Sequence, residues 1–215
     1  MGIPAYFSFL VKNYPRILKN VSHFEKSQIH NLLLDSNSII YEAVQCNINN
    51  YDDFDSSQLF EDKVISDVII KIEEYIKFIN ASDLVYITFD GVAPLAKMKQ
   101  QRIRRHKGVF LSNTQSKWNK NKITPGTEFM DNLSIKINKH FINKEKKYNV
   151  KKILVSCSDE FGEGEHKIME YLRNNEDQNK TSVIYGLDSD LIMLSIFHIK
   201  YCKDIYIFRE APAFM

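Results

Sequence analysis

Little in this chain is suited to covalent or cysteine-based cross-linking. Its three cysteines, Cys46, Cys157 and Cys202, are odd in number, far apart and never spaced as CxxC. Neither a disulfide framework nor a zinc site is implied, and a reducing compartment is the natural setting. With five prolines and seven glycines, no Pro-rich linker breaks the chain, and no internal repeat is visible. No apolar run approaches the roughly 20 residues that cross a bilayer. The opening "MGIPAYFSFL" lacks the apolar core of a signal peptide. Gly2 does not make a myristoylation signal, because position 6 is Tyr where the pattern wants Ser or Thr. Charge of one sign is also missing: the formal net charge is +2. Composition alone therefore does not announce a nucleic-acid binder, and any such role must come from where the charges sit. What remains is ordinary for a soluble globular domain: 215 residues, 44% hydrophobic and 26% charged, enough for one real core.

Short apolar runs alternate with amphipathic segments. Strands are expected at "NLLLD" (31–35), "LVYITFD" (84–90), "KKILVSC" (151–157), "SVIYGLD" (182–188) and "DIYIFRE" (204–210). Helices are expected over 62–80, where Val64, Val68, Ile69, Ile72 and Ile76 keep helical spacing, and over 93–106, 127–144 and 162–175. The polar stretch 112–122 reads as a mobile loop. Strands separated by helices imply βαβ units and a mainly parallel sheet, an α/β fold.

Carboxylates recur at the strand ends. Asp35 ends the first strand, Asp90 the second and Asp188 the fourth, with Asp190 two residues on; Glu163 and Glu165 follow the third. In a parallel sheet those ends share one edge, where sites form. Glu163 and Glu165, two apart, would diverge in mid-helix; Gly162 and Gly164 suggest instead a flexible helix entry from which both face one cavity. Two carboxylates ~6 Å apart at an effective dielectric of ~20 repel by roughly 3 kcal/mol, so several together need protons or cations. Oxygen-only ligands favour Mg²⁺ or Mn²⁺, and two such ions ~3.5–4 Å apart can clamp the attacking water and leaving oxygen of a phosphodiester. The plainer reading of any one of these aspartates is a helix cap. His166, beside Glu165, reads as an ordinary helix histidine.

Just past Asp90, "LAKMKQQRIRRHK" is strongly basic. Lys97, Gln101 and Arg104 share a helical face with Arg105 at its border. Guanidinium forks beside a lysine and an amide suit a terminal phosphate, and the other basic residues suit a nucleic-acid backbone; a solvated charged face is the plainer alternative. Trp118, the only tryptophan, reads as a core anchor before a base-stacking platform.

Together "MGIP", "LDSNSII", "DGVAPLAKMKQQRIRR", "ITPGTEFM", "GEGEHKIM" and "GLDSDLIML" resemble, in this order, the N-terminal catalytic region of the Xrn family of 5′→3′ exoribonucleases. The resemblance implies an α/β core shared with flap endonucleases and PIN-type nucleases. It implies hydrolysis of single-stranded RNA from 5′-monophosphate ends, with Mg²⁺ (or Mn²⁺), two ions, held by Asp35, Asp90, Glu163, Glu165, Asp188 and Asp190. It also implies a 5′-phosphate pocket of Lys97, Gln101, Arg104 and Arg105. Tyr41 stands where the family has a histidine that stacks on the first base; it can stack but cannot serve a role that requires protonation. The family draws a further metal-binding aspartate and an aromatic partner from a later part of its catalytic region. Asp204 reads as preceding the last strand and is not recruited. The expectation is therefore one nuclease domain, 1–215, lacking that later part, active alone or completed by a second polypeptide. An exposed apolar patch near Ile205, Tyr206 and Phe208 would favour the second polypeptide. The alternatives are an RNA 5′-end-binding subunit of weak or no activity and a flap-type DNA 5′ nuclease. The expected location is intracellular, cytoplasmic rather than nuclear.

Overall fold

The computed structural model describes residues 5–21, 28–111 and 117–210 and, for residues 104–111, the backbone alone. In chain order the elements are α1 (Tyr6–Asn13), β1 (Asn31–Asp35), α2 (Asn37–Asn47), α3 (Ser57–Ile79), β2 (Leu84–Thr88), α4 (Leu95–Leu111), α5 (Glu128–Phe141), α6 (Glu145–Tyr148), β3 (Lys152–Ser156), α7 (Gly164–Asn174), β4 (Asp177–Tyr185), α8 (Asp190–His198) and β5 (Cys202–Phe208). The five strands form one all-parallel sheet in the order β3-β2-β1-β4-β5.

Period-two alternation divides the strands between two cores. Leu32 and Leu34 of β1, Val85 and Ile87 of β2, and Val183 and Tyr185 of β4 pack with α2, α3 and α5. Leu33, Leu84 and Ile184 pack with Ile168, Met169 and Leu172 of α7 and Leu191 of α8. Because both faces are covered, β1 reads as an unbroken apolar run. Each fully buried Leu or Ile contributes about 1.5–3 kcal/mol relative to exposure. The helices stop where local chemistry stops them. Ser56 Oγ accepts from Leu59 N at the start of α3, and Asn80 closes it in the left-handed conformation, φ 52°.

Several boundaries differ from the sequence reading. β4 starts at Asp177 and ends at Tyr185, so Asp188 stands in the turn after the strand. β2 ends at Thr88, two residues before Asp90. Asp204 lies within β5 and does not precede it. The sequence reading passed over α1, α2, α6 and α8; α8, "DLIMLSIFH", is too uniformly apolar to show a helical face. Part of the stretch expected to be a mobile loop is tied down, while 112–116 lie outside the described residues. Trp118 is 2% exposed, packs against Phe60 and Phe129 and donates to Glu61 Oε1 at 2.9 Å. Lys122 Nζ reaches the same oxygen at 2.6 Å. Trp118 is a core anchor.

A half-buried acid staples α3 to α5 and α6. Glu73 Oε1 accepts from Lys147 Nζ and Tyr148 Oη, both at 2.6 Å, and lies 2.7 Å from His140 Nε2. Burial opposes its ionisation, but these partners outweigh burial and hold its carboxyl well below the usual range. A lowered folded-state pKa gives stability that is present above the ordinary glutamate value, about 4.3, and is lost as pH falls from there through the folded value. Glu73→Ala should therefore cost about 1–3 kcal/mol at pH 7, measured by urea denaturation. The gap to the wild-type protein should narrow at pH 3; an equal gap at both would refute the ion-pair origin.

Candidate functional site

The sheet order reverses direction between β1 and β4. In an open α/β sheet such a switch point opens a crevice at the carboxyl ends of the strands. Asp35 closes β1 at that crevice, and the chain leaves β4 through Gly186, Leu187 and Asp188 beside it. Two glycines let the neighbouring segments come close. A Cβ on Gly164 would stand 2.6 Å from Asp35 Oδ1 and 3.0 Å from Thr88 Oγ1, and one on Gly186 would stand 2.6 Å from Leu191 Cδ2. Gly164 is therefore needed for close approach, a different reason from the flexible entry expected of it. Glu163 occupies the N-cap position of α7 and Glu165 its first turn, so the two acids do face one region.

Asp35 Oδ1 is fully enclosed and has no hydrogen-bond partner among the described residues. Burial, then the charges of Asp90, Glu165 and Asp188, push the Asp35 carboxyl well above the usual range, against the backbone N–H of Asn37. Asp90 is clamped: Oδ1 accepts from Gly164 N at 2.8 Å and Oδ2 from Asn37 Nδ2 at 2.5 Å, while Asp90 N donates to Asn37 Oδ1 at 3.1 Å. Burial still raises its carboxyl, with Glu163 adding to that and Gly164 N–H, Lys167 and Lys97 opposing it. Glu165 is raised by burial, eased by the charge of His166 and raised further by Glu163 and Asp188. Five of the six acids named from the sequence thus act on one another. Asp190, the sixth, is the first residue of α8.

Glu163, Glu165 and His166 carry oxygen or nitrogen ligand atoms that all lie within 4.8 Å of one another. A hard oxygen donor set and an enclosed carboxylate oxygen without a partner fit a divalent cation such as Mg²⁺ or Mn²⁺. His166 lies 3.6 Å from Glu163 and 3.9 Å from Glu165, its side chain 60% exposed.

The basic helix borders these acids. Among residues 95–103 of α4, only Lys97 and Gln101 are half-buried; the rest are exposed. Lys97 Nζ lies 3.2 Å and Gln101 Nε2 3.3 Å from the same atom, Glu163 Oε1. The side chains of Arg104 and Arg105 lie outside the described residues. Tyr41, on α2, is 45% exposed.

Two positions escaped the sequence reading. Asn37, two residues past Asp35, holds Asp90 through both amide atoms. Lys167, 6% exposed, donates to Phe89 O at 2.9 Å and Cys157 O at 2.7 Å, tying the ends of β2 and β3 together. Desolvation lowers its pKa, which nearby acids oppose. Each sits inside a string quoted above, yet nothing in its spacing marked it.

Beyond the acids, Ile205, Ile207, Phe7, Leu10, Phe78 and Ile192 are among the residues lining an open, mainly apolar groove of about 710 Å³ along the edge strand β5, and Tyr206 and Phe208 line it too. No helix among the described residues is long and apolar enough to cross a membrane.

Compared with known proteins, residues 1–115 and 108–211 match the family described as XRN 5′-3′ exonuclease N-terminus. The chain is 35% identical to human 5′-3′ exoribonuclease 1 across 91% of its own length and 12% of that protein. It is 34% identical to 5′-3′ exoribonuclease 1 of Saccharomyces cerevisiae across 91% and 14%, and 28% identical to 5′-3′ exoribonuclease 2 of Aspergillus oryzae across 99% and 26%. The chain therefore spans a quarter or less of most of these relatives.

An enclosed carboxylate under like-charge repulsion is a cost to the fold. Asp35→Asn should raise stability in EDTA at pH 7 by about 1–2 kcal/mol, read by calorimetric melting. A variant less stable than the wild-type protein in EDTA would contradict the repulsion described.

Proposed function

Since the chain belongs to the XRN 5′-3′ exonuclease N-terminal family, we propose that it is a metal-dependent 5′→3′ exoribonuclease acting on single-stranded RNA from 5′-monophosphate ends. The observation that carries the reading is the juxtaposition of the acids around Asp35 with the inward face of α4, joined at Glu163. One edge of the sheet thus offers ligands for a hard cation beside donors for a terminal phosphate.

Asp35, Asp90, Glu163, Glu165, Asp188 and Asp190 would hold divalent cations, two by the number of carboxylates. The chemistry supplied by such ions is activation of a water and neutralisation of the leaving 3′ oxygen. The chain's own residues do the rest. Lys97, Gln101, Arg104 and Arg105 take the 5′-phosphate through charge-assisted hydrogen bonds, which places the first phosphodiester at the acids. Asn37 and Gly164 N–H keep Asp90 oriented, and Lys167 holds the ends of β2 and β3 at fixed separation. Tyr41 offers an exposed ring for the first base. On this reading a pocket sized for one phosphate would exclude a 5′-triphosphate or cap. RNA is favoured over flap DNA because the relatives are named exoribonucleases.

The groove along β5 favours a second reading of how activity is completed. An edge strand flanked by apolar residues invites further polypeptide, and the match covers only 12% of human 5′-3′ exoribonuclease 1. On this reading the 215 residues bind the 5′ end, and cleavage needs further polypeptide, of this chain or another, packed on the groove.

With 3′-labelled RNA and Mg²⁺, shortening should occur from 5′-monophosphate ends and not from 5′-hydroxyl or 5′-triphosphate ends. EDTA should abolish it. Binding without shortening would select the second reading, and neither binding nor shortening would refute both. Asp188→Asn or Asp190→Asn should remove cleavage with the fold retained, so strong residual Mg²⁺-dependent activity would unseat the ligand assignment. Arg104→Ala should narrow the preference for 5′-monophosphate over 5′-hydroxyl RNA, by tenfold or more for loss of a bidentate pair.

A further inference from the structure

We propose that Glu163 couples occupation of the 5′-phosphate pocket to cation binding at the acids, because one of its oxygens is the common partner of Lys97 and Gln101. The inference rests on the reading of α4 as a phosphate site and of the acids as a cation site.

Lys97 and Gln101 are one helical turn apart, i and i+4, so they project together. Both reach Glu163 Oε1, at 3.2 and 3.3 Å, and Glu163 is 7% exposed. A bonded, buried carboxylate of this kind has no reason to leave its partners unless something better replaces them. Two ligands do so from opposite sides. A cation taken by Glu163 repels the Lys97 ammonium and occupies the lone pairs that Gln101 uses. A phosphate taken by Lys97 and Gln101 draws their N–H groups off Glu163. Each ligand breaks the same contact, and once it is broken the second ligand binds without that cost. The coupling is therefore positive, and by linkage it is reciprocal.

This gives end specificity a physical route beyond affinity. An RNA end without a phosphate leaves Lys97 and Gln101 on Glu163, so the acids load poorly. A 5′-monophosphate frees Glu163 at the moment the scissile bond arrives.

Two binding experiments test it, neither of which reads cleavage. In EDTA, uridine 5′-monophosphate should bind Glu163→Gln about fivefold more tightly than wild type. Glu165→Gln should gain clearly less, because it removes an equal charge from a residue to which neither Lys97 nor Gln101 bonds. Without nucleotide, Gln101→Leu should tighten Mn²⁺ binding about threefold, although the charge is unchanged. Equal gains for the two glutamate variants, or a Gln101→Leu protein that binds Mn²⁺ no better or worse than wild type, would overturn the coupling and leave both sites standing. If uridine 5′-monophosphate binds none of the three proteins, the phosphate pocket falls and the coupling with it. Gln101 lies outside the core, so the Mn²⁺ experiment decides the matter even if Glu163→Gln does not fold.

Discussion

Repulsion among the carboxylates around Asp35 is the constraint to which the rest of this edge answers. Asp35 Oδ1 is enclosed without a partner, and Asp90, Glu165 and Asp188 all push on it. Carboxylates this close are not tolerated for stability. The surrounding structure limits the cost by holding two of the acids: Asn37 and the N-terminus of α7 take Asp90, and Lys97 and Gln101 take Glu163, while Asp35 keeps an enclosed oxygen without a partner among the described residues. The sheet supplies the rigidity that such a cluster needs, since β1 lies between two strands and beneath two helical layers.

The two halves of the site are joined through one side chain. A basic helix beside an acidic edge could have been neutral surroundings for each other. The inward turn of Lys97 and Gln101 onto Glu163 instead makes the α4 face and the acids parts of a single bonded unit, which is the basis of the coupling proposed above. The same logic gives Lys167 its place. A buried lysine is costly, and here its ammonium is satisfied by two backbone carbonyls at the strand ends that carry Asp90 and lead to Glu163.

Much of this was legible because it is local. Strand β1 betrays itself by three consecutive leucines and a terminal aspartate, and α3 by its 3.6-residue period. Trp118 could be assigned to the core from its size and hydrophobicity. The basic face of α4 follows from spacing alone, and its described members, Lys97 and Gln101, turn toward Glu163. The misses are where the local signal fails. In α8 almost every residue is apolar, so no face stands out. The first four residues of β4, "DQNK", are polar because that end of the strand lies outside the cores. Gly164 reads in the sequence only as a flexible helix entry, because its need for close contact depends on Asp35, over a hundred positions away.

The sequence by itself determined the alternation of strands and helices, the residue types gathered at the strand ends, and the family. These depend on periodicity and on strings of adjacent residues. Only the tertiary structure decided that β4 crosses to the far side of β1, which sets Asp188 against Asp35, and that Glu163 is the atom-level junction between α4 and the acids. Such relations arise from the order of strands in the sheet and from packing across it, where residues far apart in the chain meet and their charges first act on one another.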